Sequence, residues 1–290
     1  MSFWARRVFA IMRPGGSMAG HQCSFSIRVV SMQPLVNMAL RAARAAAEQI
    51  MLQVDRRDRI KIVRDDESGR LTSIDQEAEQ TILHHLQKTY PRDSYTSRTG
   101  LAIAGESNST WLIDPLLGSR NFLNGHPLFG VSIAFKSGNT VDHSVLLLPM
   151  VGEEYWASRG QGAQLNSRRI RLGSLTEFDS CMAAVDDSAQ GLAMAQALLE
   201  QGAMVRCSGS TAIDLVFTAA DKLQCGWSGD QVSPSMAAAL LIFAEAGGLA
   251  CTESGHPDLH KGTEMLFANP RLCKSLLKLR QAVNGQDRST

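Results

Sequence analysis

The segment best suited to take part in catalysis contains an aspartate that directly follows a run of apolar residues. Residues 111–113 predict a buried strand that ends at Asp114, because Pro115 would stop the hydrogen bonding of the sheet. Gly118 then permits a sharp turn, and the hydroxyl of Ser119 could cap a short helix. An acid at a strand end, just before a helix start, can help to hold a cation and a phosphate. Taken alone, these residues favour an ordinary strand–turn–helix corner with Asp114 as a cap.

The elements that would position this corner alternate between helical and strand-like patterns. Helical spacing of apolar residues predicts helices over 33–54, 73–90, 189–200, 210–221 and 235–246, with a last one after 270. Thr72 or Ser73 is expected to cap the second helix. Strands are predicted at 111–114, 129–136, 141–148, 154–157, 181–185, 249–252 and 265–268. Strands and helices mixed in this order predict layered α/β packing.

The composition excludes several classes of protein. The chain has 290 residues and a net charge of +1, so its bulk charge indicates neither nucleic acid nor an acidic partner. Its six cysteines are scattered and form no Cys-x-x-Cys pair, which is typical of reduced thiols in a cytosolic protein. No apolar run is long enough to span a bilayer.

The first 31 residues differ from the rest of the chain, with four arginines and no acid. Such a segment is compatible with a targeting leader. Alternatively, translation begins at Met32, which is the simpler interpretation. Residues 1–31 are therefore expected to lie outside the fold and to be poorly ordered, and residues 32–290 to form one domain of two intimate lobes.

A family resemblance appears at residues 114–122, which read DPLLGSRNF. This run resembles the inositol monophosphatase signature Asp-Pro-hydrophobic-Asp-Gly-Thr/Ser-x-Asn-Phe. Residues 32–44, 71–75, 159–163, 209–215 and 245–248 are also similar to the bacterial SuhB branch of that family. The resemblance covers nearly all of the chain from Met32 onward. It implies an αβαβα layered sandwich, usually dimeric, and a magnesium-dependent phosphomonoesterase.

The resemblance also implies which residues would carry that chemistry. It assigns metal contacts to the carboxylate of Asp114 and the backbone carbonyl of Leu116. It assigns orientation of the water network to Thr72 and Asp75, and a catalytic hydroxyl to Ser119. Magnesium is a hard, octahedral ion, and this reaction uses clustered carboxylates to hold two or more such ions against the phosphate.

Most of the expected metal ligands are replaced. The family's Glu-Glu pair aligns with Ser97 and Arg98, its second signature aspartate with Leu117, and its late Trp-Asp aspartate with Ser235. Asp114 is then the one metal-ligating carboxylate left. A single carboxylate beside a leucine should not hold a pair of magnesium ions, so we expect a disabled metal site with no magnesium bound.

Two other acids lie near the gaps in the alignment. Glu106 follows the first gap and Asp230 precedes the third, although neither has the family's local spacing. If either of them replaced a lost ligand, some activity could survive.

The substrate-binding positions that the resemblance implies are also only partly retained. Gly118 and Ser119 of the signature, together with the turn at Gly209, Ser210 and Thr211, match substrate-binding positions of the family. The family's inositol-binding glutamate aligns with Ser228. Loss of contacts to both metal and sugar argues against a mere change of substrate.

Two arginines lie near the missing ligands. Arg98 stands at the lost glutamate pair, and Arg120 lies inside the signature turn. We expect both side chains to point to solvent. In the alternative hypothesis they turn inward, where guanidinium groups either bind a phosphorylated ligand without metal or close onto Asp114 as an internal ion pair.

Three functions follow from these patterns. The first is a cytoplasmic, dimeric, non-catalytic member of the SuhB branch, for which the resemblance implies binding of NusA in RNA polymerase complexes during ribosomal-RNA antitermination. The second is a magnesium-dependent phosphatase of inositol 1-phosphate or related sugar phosphates, with reduced or altered activity. The third is a metal-free protein that binds a phosphate-containing small molecule. None of them involves a membrane.

Overall fold

The structure is a computed structural model that describes residues 33–66, 69–230 and 233–287. The expectations for residues 1–31 lie outside the described residues. The helices are α1 (Pro34–Leu52), α2 (Ser73–Thr89), α3 (Ser119–Leu123), α4 (Ala189–Glu200), α5 (Thr211–Ala219), α6 (Ala237–Glu245) and α7 (Pro270–Asp287). The predicted helices all form, with ends that differ from the prediction by a few residues.

The strands build one large sheet, one small sheet and a two-stranded ribbon. They are β1 (Ile62–Asp66), β2 (Gly69–Thr72), β3 (Ser94–Ser97), β4 (Ala102–Ile103), β5 (Ser109–Leu117), β6 (Gly130–Ser137), β7 (Thr140–Leu148), β8 (Glu153–Ser158), β9 (Gly162–Leu165), β10 (Arg168–Ile170), β11 (Met182–Val185), β12 (Met204–Arg206), β13 (Cys225–Ser228), β14 (Leu249–Cys251) and β15 (Met265–Ala268). The large sheet has the order β10-β9-β8-β7-β6-β5-β3-β4, the small sheet has the order β12-β11-β13-β15-β14, and β1 pairs with β2.

The helices and sheets stack in five layers. Helices α1 and α2 pack on each other and on β5, β6 and β7 of the large sheet. Helices α5 and α6 lie in the middle layer, where α6 contacts β7 and β8, and α5 contacts β13 of the small sheet. Helices α4 and α7 pack on the strands of the small sheet and on each other. The predicted αβαβα sandwich is therefore confirmed.

Local chemistry explains the two helices that support the signature strand. Helix α1 begins with Pro34, whose fixed φ suits the first helical turn, and its alanine-rich face is buried against the sheet. Helix α2 begins with a capping box in which Thr72 and Asp75 exchange side-chain and backbone hydrogen bonds. The predicted cap at Thr72 is confirmed, and it fixes the position of Asp75 at the first turn.

The signature strand is longer than the sequence predicts. Strand β5 continues through Pro115 to Leu117, and its pairing with β6 is irregular between Asp114 and Leu117. This irregularity explains why the proline does not end the strand, because a bulge leaves a residue without its ladder hydrogen bond. The predicted strand end at Asp114 is wrong.

Among the described residues, no helix is both long enough and apolar enough to cross a bilayer.

Candidate functional site

Two neighbouring strands place Arg98 beside Asp114. Strands β3 and β5 are parallel, and Ser97 is in register with Ile113. The backbone N–H of Arg98 donates to the carbonyl oxygen of Ile113 at 3.0 Å, which extends the pairing by one residue. The next position along each strand is then occupied by Arg98 on one side and by Asp114 on the other.

The guanidinium of Arg98 turns into the site and binds the groups that the resemblance assigns to metal and catalysis. Its Nε lies 2.8 Å from Oδ1 of Asp114, and its Nη2 donates to Oδ1 of Asp75. The same Nη2 lies 3.1 Å from the carbonyl oxygen of Leu116 and 3.0 Å from Oγ of Ser119. The expectation that Arg98 points to solvent is wrong, and the alternative of an internal ion pair with Asp114 describes its position.

Burial makes this ion-pair cluster electrostatically strong. The Arg98 side chain is 18 % exposed, and the side chains of Asp75 and Asp114 are almost fully buried. Burial acts to lower the pKa of Arg98, but the charges of Asp114 and Asp75 outweigh it, so that this pKa is raised. Burial raises the pKa of Asp75, and the charge of Arg98 opposes that rise without cancelling it.

Both carboxylate oxygens of Asp75 are occupied. Its Oδ2 accepts from the backbone N–H and the hydroxyl of Thr72, at 2.8 and 2.7 Å. Its Oδ1 accepts from Arg98 and lies 3.3 Å from Oγ of Ser119. The predicted set of Thr72, Asp75 and Ser119 therefore comes together, and the guanidinium occupies Oδ1, the oxygen that Thr72 does not bind.

The turn at Gly118 keeps the geometry that the signature requires. Gly118 has a φ of +73°, and a β-carbon there would lie 2.8 Å from the carbonyl oxygen of Leu128. Gly118 itself is the N-cap of α3, and the hydroxyl of Ser119 instead donates to the carbonyl oxygen of Leu116 at 2.9 Å. The predicted capping role of Ser119 is wrong, because this hydroxyl belongs to the Arg98 cluster.

The three positions that the resemblance aligns with lost carboxylates are buried in the fold. Leu117 is 5 % exposed and belongs to the apolar cluster between the sheets, although one edge of it reaches the cavity described below. The hydroxyl of Ser97 is buried and lies 3.3 Å from Oγ1 of Thr99, which donates to Glu79. Ser235 is also buried, and its carbonyl oxygen accepts from Ser132.

The two acids near the alignment gaps do not restore a metal site. Glu106 is exposed and pairs with Arg92 at 3.1 Å, away from Asp114. Asp230 does lie in the site, but its Oδ2 accepts from the hydroxyl of Thr211 at 2.6 Å.

A cavity of about 1010 Å³ opens beside the Arg98 cluster. Its walls include Asp114, residues 116–121, the turn at 209–211, and Ser235. Ser228 is buried behind Thr211, with the two hydroxyl oxygens 2.8 Å apart. The structure therefore brings the predicted metal and substrate positions around one cavity, while Thr72, Asp75, Ser97 and Ser228 lie behind its wall. Arg120 lines the cavity and is exposed, as the sequence predicts.

Two acids that the sequence did not mark as functional lie on the far side of this cavity. Asp186 directly follows β11, and Asp214 lies in the first turn of α5. Burial raises the pKa of Asp214 to about 7, a hydrogen bond from Ser208 opposes the rise, and the charges of Asp230 and Asp186 add to it. An available signal for Asp186 was its place at the carboxyl end of a parallel strand, where ligands gather in α/β sheets.

The residues present do not fit a magnesium pair. The carboxylate of Asp114 and the carbonyl of Leu116 both accept from Arg98, and the other expected ligand positions hold Ser97, Leu117 and Ser235. A cation would meet a fixed positive charge at the centre of this donor set. Within the described ranges, no group of three or more histidine, cysteine, aspartate or glutamate side chains is arranged to hold a metal ion.

The layered fold, the signature turn and the cavity define a phosphatase scaffold with a guanidinium in its metal position. The chain belongs to the inositol monophosphatase family, whose sequence profile matches residues 31–284. It is similar to the Nus factor SuhB of Pseudomonas aeruginosa, with 37 % identity over 259 residues that cover 85 % of this chain and 95 % of that one. The Nus factor SuhB of Haemophilus influenzae is 34 % identical over 265 residues, which cover 88 % and 99 % of the two chains.

Solved structures give the same family and fold. The extragenic suppressor protein SuhB of Bartonella henselae superposes with a TM-score of 0.81 and 25 % identity, over 86 % of this chain and 98 % of that one. An IMPase from Thermotoga maritima superposes with a TM-score of 0.80 and 23 % identity, over 88 % and 99 % of the two chains, which supports the fold alone.

Proposed function

We propose that this chain is a non-catalytic member of the inositol monophosphatase family that works by binding other macromolecules. The curated relatives at 34–37 % identity are named Nus factors, which supports a role in transcription antitermination. The partners would then be NusA and the RNA polymerase complex, and the protein would act as a homodimer in the cytoplasm. In this proposal it works without magnesium.

One observation carries the non-catalytic part of the proposal. A single guanidinium, that of Arg98, donates to Asp75, Asp114, the carbonyl of Leu116 and Ser119. These are the groups that a family phosphatase would use to hold metal and position water. A guanidinium stays charged at any relevant pH and cannot lower the pKa of a bound water as a metal ion does. Hydrolysis would therefore lack both the metal charge that stabilises the phosphate and the activated water that attacks it.

The same geometry argues against an anion site at Arg98. A phosphate would have to compete with two buried carboxylates that already bind this side chain. Arg70 pairs with Asp65, which leaves Arg120 as the cavity arginine with an exposed side chain outside the ion-pair cluster. The hypothesis of a metal-free phosphate site therefore has little support from the charges.

The test of the non-catalytic part is hydrolysis of inositol 1-phosphate with magnesium. We expect no turnover by the wild-type chain. We also expect none after Ser97→Glu, Leu117→Asp and Ser235→Asp together, because Arg98 still occupies the site. Adding Arg98→Glu to these three should restore magnesium-dependent turnover.

The controls separate blocking by Arg98 from simple loss of ligands. Turnover by the triple variant would show that Arg98 does not block the site. Turnover by the wild-type chain that is abolished by Asp114→Asn would overturn the non-catalytic proposal altogether.

The binding part has its own test. Purified NusA is titrated with the full chain, once with magnesium and once with a chelator. We expect a complex of equal affinity in both conditions, and an equal affinity for the Asp114→Asn variant, if it folds. Absence of a complex would reject NusA as the partner and leave the non-catalytic part standing.

A further inference from the structure

The side of the cavity opposite Arg98 is built from acids held by a chain of hydroxyl groups. Oδ2 of Asp186 accepts from the backbone N–H of Gly229 at 2.6 Å and lies 3.4 Å from Oγ of Ser228. Ser228 in turn contacts Thr211, which donates to Oδ2 of Asp230 at 2.6 Å. The hydroxyl that replaces the family's glutamate therefore links two carboxylates at the cavity wall.

Asp214 provides an independent sign of a missing ligand. It lines this side of the cavity and is 5 % exposed, and its Oδ1 is buried without a hydrogen-bond partner among the described residues. A buried carboxylate oxygen without a donor is costly, and such groups in native proteins call for an explanation. A ligand that brings hydrogen-bond donors and positive charge would satisfy this carboxyl group, once a rotation of the Asp214 side chain turns Oδ1 toward the cavity.

The remaining charges of the cavity do not supply that donor. Arg98 is bound to Asp75 and Asp114, Arg70 is bound to Asp65, and the exposed Arg120 makes no hydrogen bond to Oδ1 of Asp214. Among the acids, Glu264 is bound to Arg280.

The far side of the cavity keeps an excess of negative charge. Asp187 adds a further exposed carboxylate there, beside the partly exposed Asp186. An anion such as a phosphate is repelled by this surface, whereas a cation is attracted.

We propose that this side of the cavity binds a small organic cation, a primary alkylammonium, with Asp214 and Asp230 as its carboxylate partners. An ammonium group carries three donors on a compact charge, which suits a pocket with an unpaired buried oxygen and a second carboxylate nearby. An organic cation fits better than a metal ion, because no metal-holding group of three acids, cysteines or histidines exists in the described ranges. Binding of an organic cation goes beyond the proposed function. A failed test of either proposal leaves the other one standing.

Protonation provides a specific signature of this binding. Burial raises the pKa of Asp214 to about 7, so that near neutral pH this carboxyl is partly protonated in the free protein. An ammonium beside it would favour the ionised form. Binding at pH 7 should therefore release protons, and the measured binding heat should depend on the ionisation enthalpy of the buffer.

The test is a calorimetric titration of the full chain with 1,4-diaminobutane, beside uncharged 1,4-butanediol of the same chain length. We expect saturable binding of the diamine and none of the diol. Asp214→Asn should weaken the diamine by about tenfold or more, since a charge-assisted hydrogen bond is lost. Asp55→Asn, an exposed acid on another surface, is the matched control and should leave the affinity unchanged.

Three results would overturn the inference. The first is the absence of saturable heat with the diamine. The second is an affinity for the diamine that neither Asp214→Asn nor Asp230→Asn changes. Asp230 is included because it is exposed, so its variant should fold even if Asp214→Asn does not. The third is saturable binding of magnesium alone that competes with the diamine.

Discussion

Arg98 and Asp114 form a buried ion pair at the position where the family signature would hold metal, with Nε of the arginine 2.8 Å from Oδ1 of the aspartate. The parallel pairing of β3 and β5 brings the two residues together. The arginine, which the resemblance aligns with one acid of a glutamate pair, supplies within the chain a positive charge that balances the signature aspartate. The charge of Asp114 is therefore balanced within the chain, which supports the proposal that the site works without a metal ion.

The first prediction concerns the contribution of this ion pair to stability. Replacing Arg98 by Met leaves Asp114 and Asp75 buried with no positive partner. We expect the free energy of unfolding to fall by about 3–5 kcal/mol, as is typical when one partner of a buried ion pair is removed. The loss should be smaller at acid pH, because burial raises the pKa of Asp75 and so favours its uncharged form. Denaturant unfolding at pH 5 and pH 8 measures both effects.

Arg120 provides a matched control for that experiment, since it lines the same cavity but is exposed. Arg120→Met should change the free energy of unfolding by no more than about 0.5 kcal/mol. Equal losses in the two variants would mean that Arg98 does not stabilise the fold through its carboxylates.

The second prediction concerns Leu117, which has joined the apolar cluster between the sheets. Leu117→Asp alone restores the second aspartate of the signature, but it buries a carboxylate without a metal ion. We expect a loss of at least about 3 kcal/mol at pH 8, from lost apolar packing and an unpaired charge. Leu117→Met keeps volume and polarity and should cost less than about 1.5 kcal/mol. A Leu117→Asp variant as stable as Leu117→Met would place this side chain in solvent and contradict the packing.

The third prediction concerns the pH dependence that Asp214 imposes. Its pKa is raised by burial to about 7 in the folded chain, against about 3.9 for a free aspartate. Between these values the unfolded chain ionises first, so the carboxyl lowers stability increasingly as pH rises from about 4 to about 7. Asp186 and Asp230 face the same carboxyl, and their charges add to the rise of its pKa.

Asp214→Asn removes that titration. Relative to the wild type, the variant should gain about 3 kcal/mol of unfolding free energy between pH 5 and pH 8. Two series of denaturant unfolding curves, one for each protein, give this difference. A difference that stays constant across the range would show that Asp214 titrates near its ordinary pKa.

The layered fold was predictable because its signals are local. Apolar periodicity located the helices other than α3, together with strands β5 to β8, β11, β14 and β15, and Thr72 marked the start of α2. The short strands β3, β4, β9, β10, β12 and β13 were not predicted, because runs of two to four residues carry too little periodicity. The signature residues on both sides of Leu117 fix its alignment, whereas the placement of Ser97 and Ser235 at ligand positions stays a prediction from the resemblance. The family match over residues 31–284 confirms that resemblance.

The features that the sequence did not predict depend on contacts across the fold. Pro115 reads as a strand breaker, yet the irregular pairing with β6 tolerates it. Ser119 reads as a helix cap, yet Gly118 takes that place and frees the hydroxyl. Arg98 reads as a surface residue because its partners Asp75 and Asp114 lie 23 and 16 positions away in the chain, and only the packing of α2, β3 and β5 brings the three residues together.

The central claim is that a guanidinium occupies the metal position. The most direct test compares the thermal unfolding midpoint of the full chain without magnesium and with about 10 mM magnesium. A site with a dissociation constant near 0.1 mM would be stabilised by about 2.7 kcal/mol, which corresponds to a rise of roughly 5–10 °C for a domain of this size. We predict that the wild-type midpoint stays within about 1 °C of its metal-free value, because no linked binding occurs. A rise of several degrees that disappears in Asp114→Asn would show that magnesium displaces Arg98 and would contradict the account.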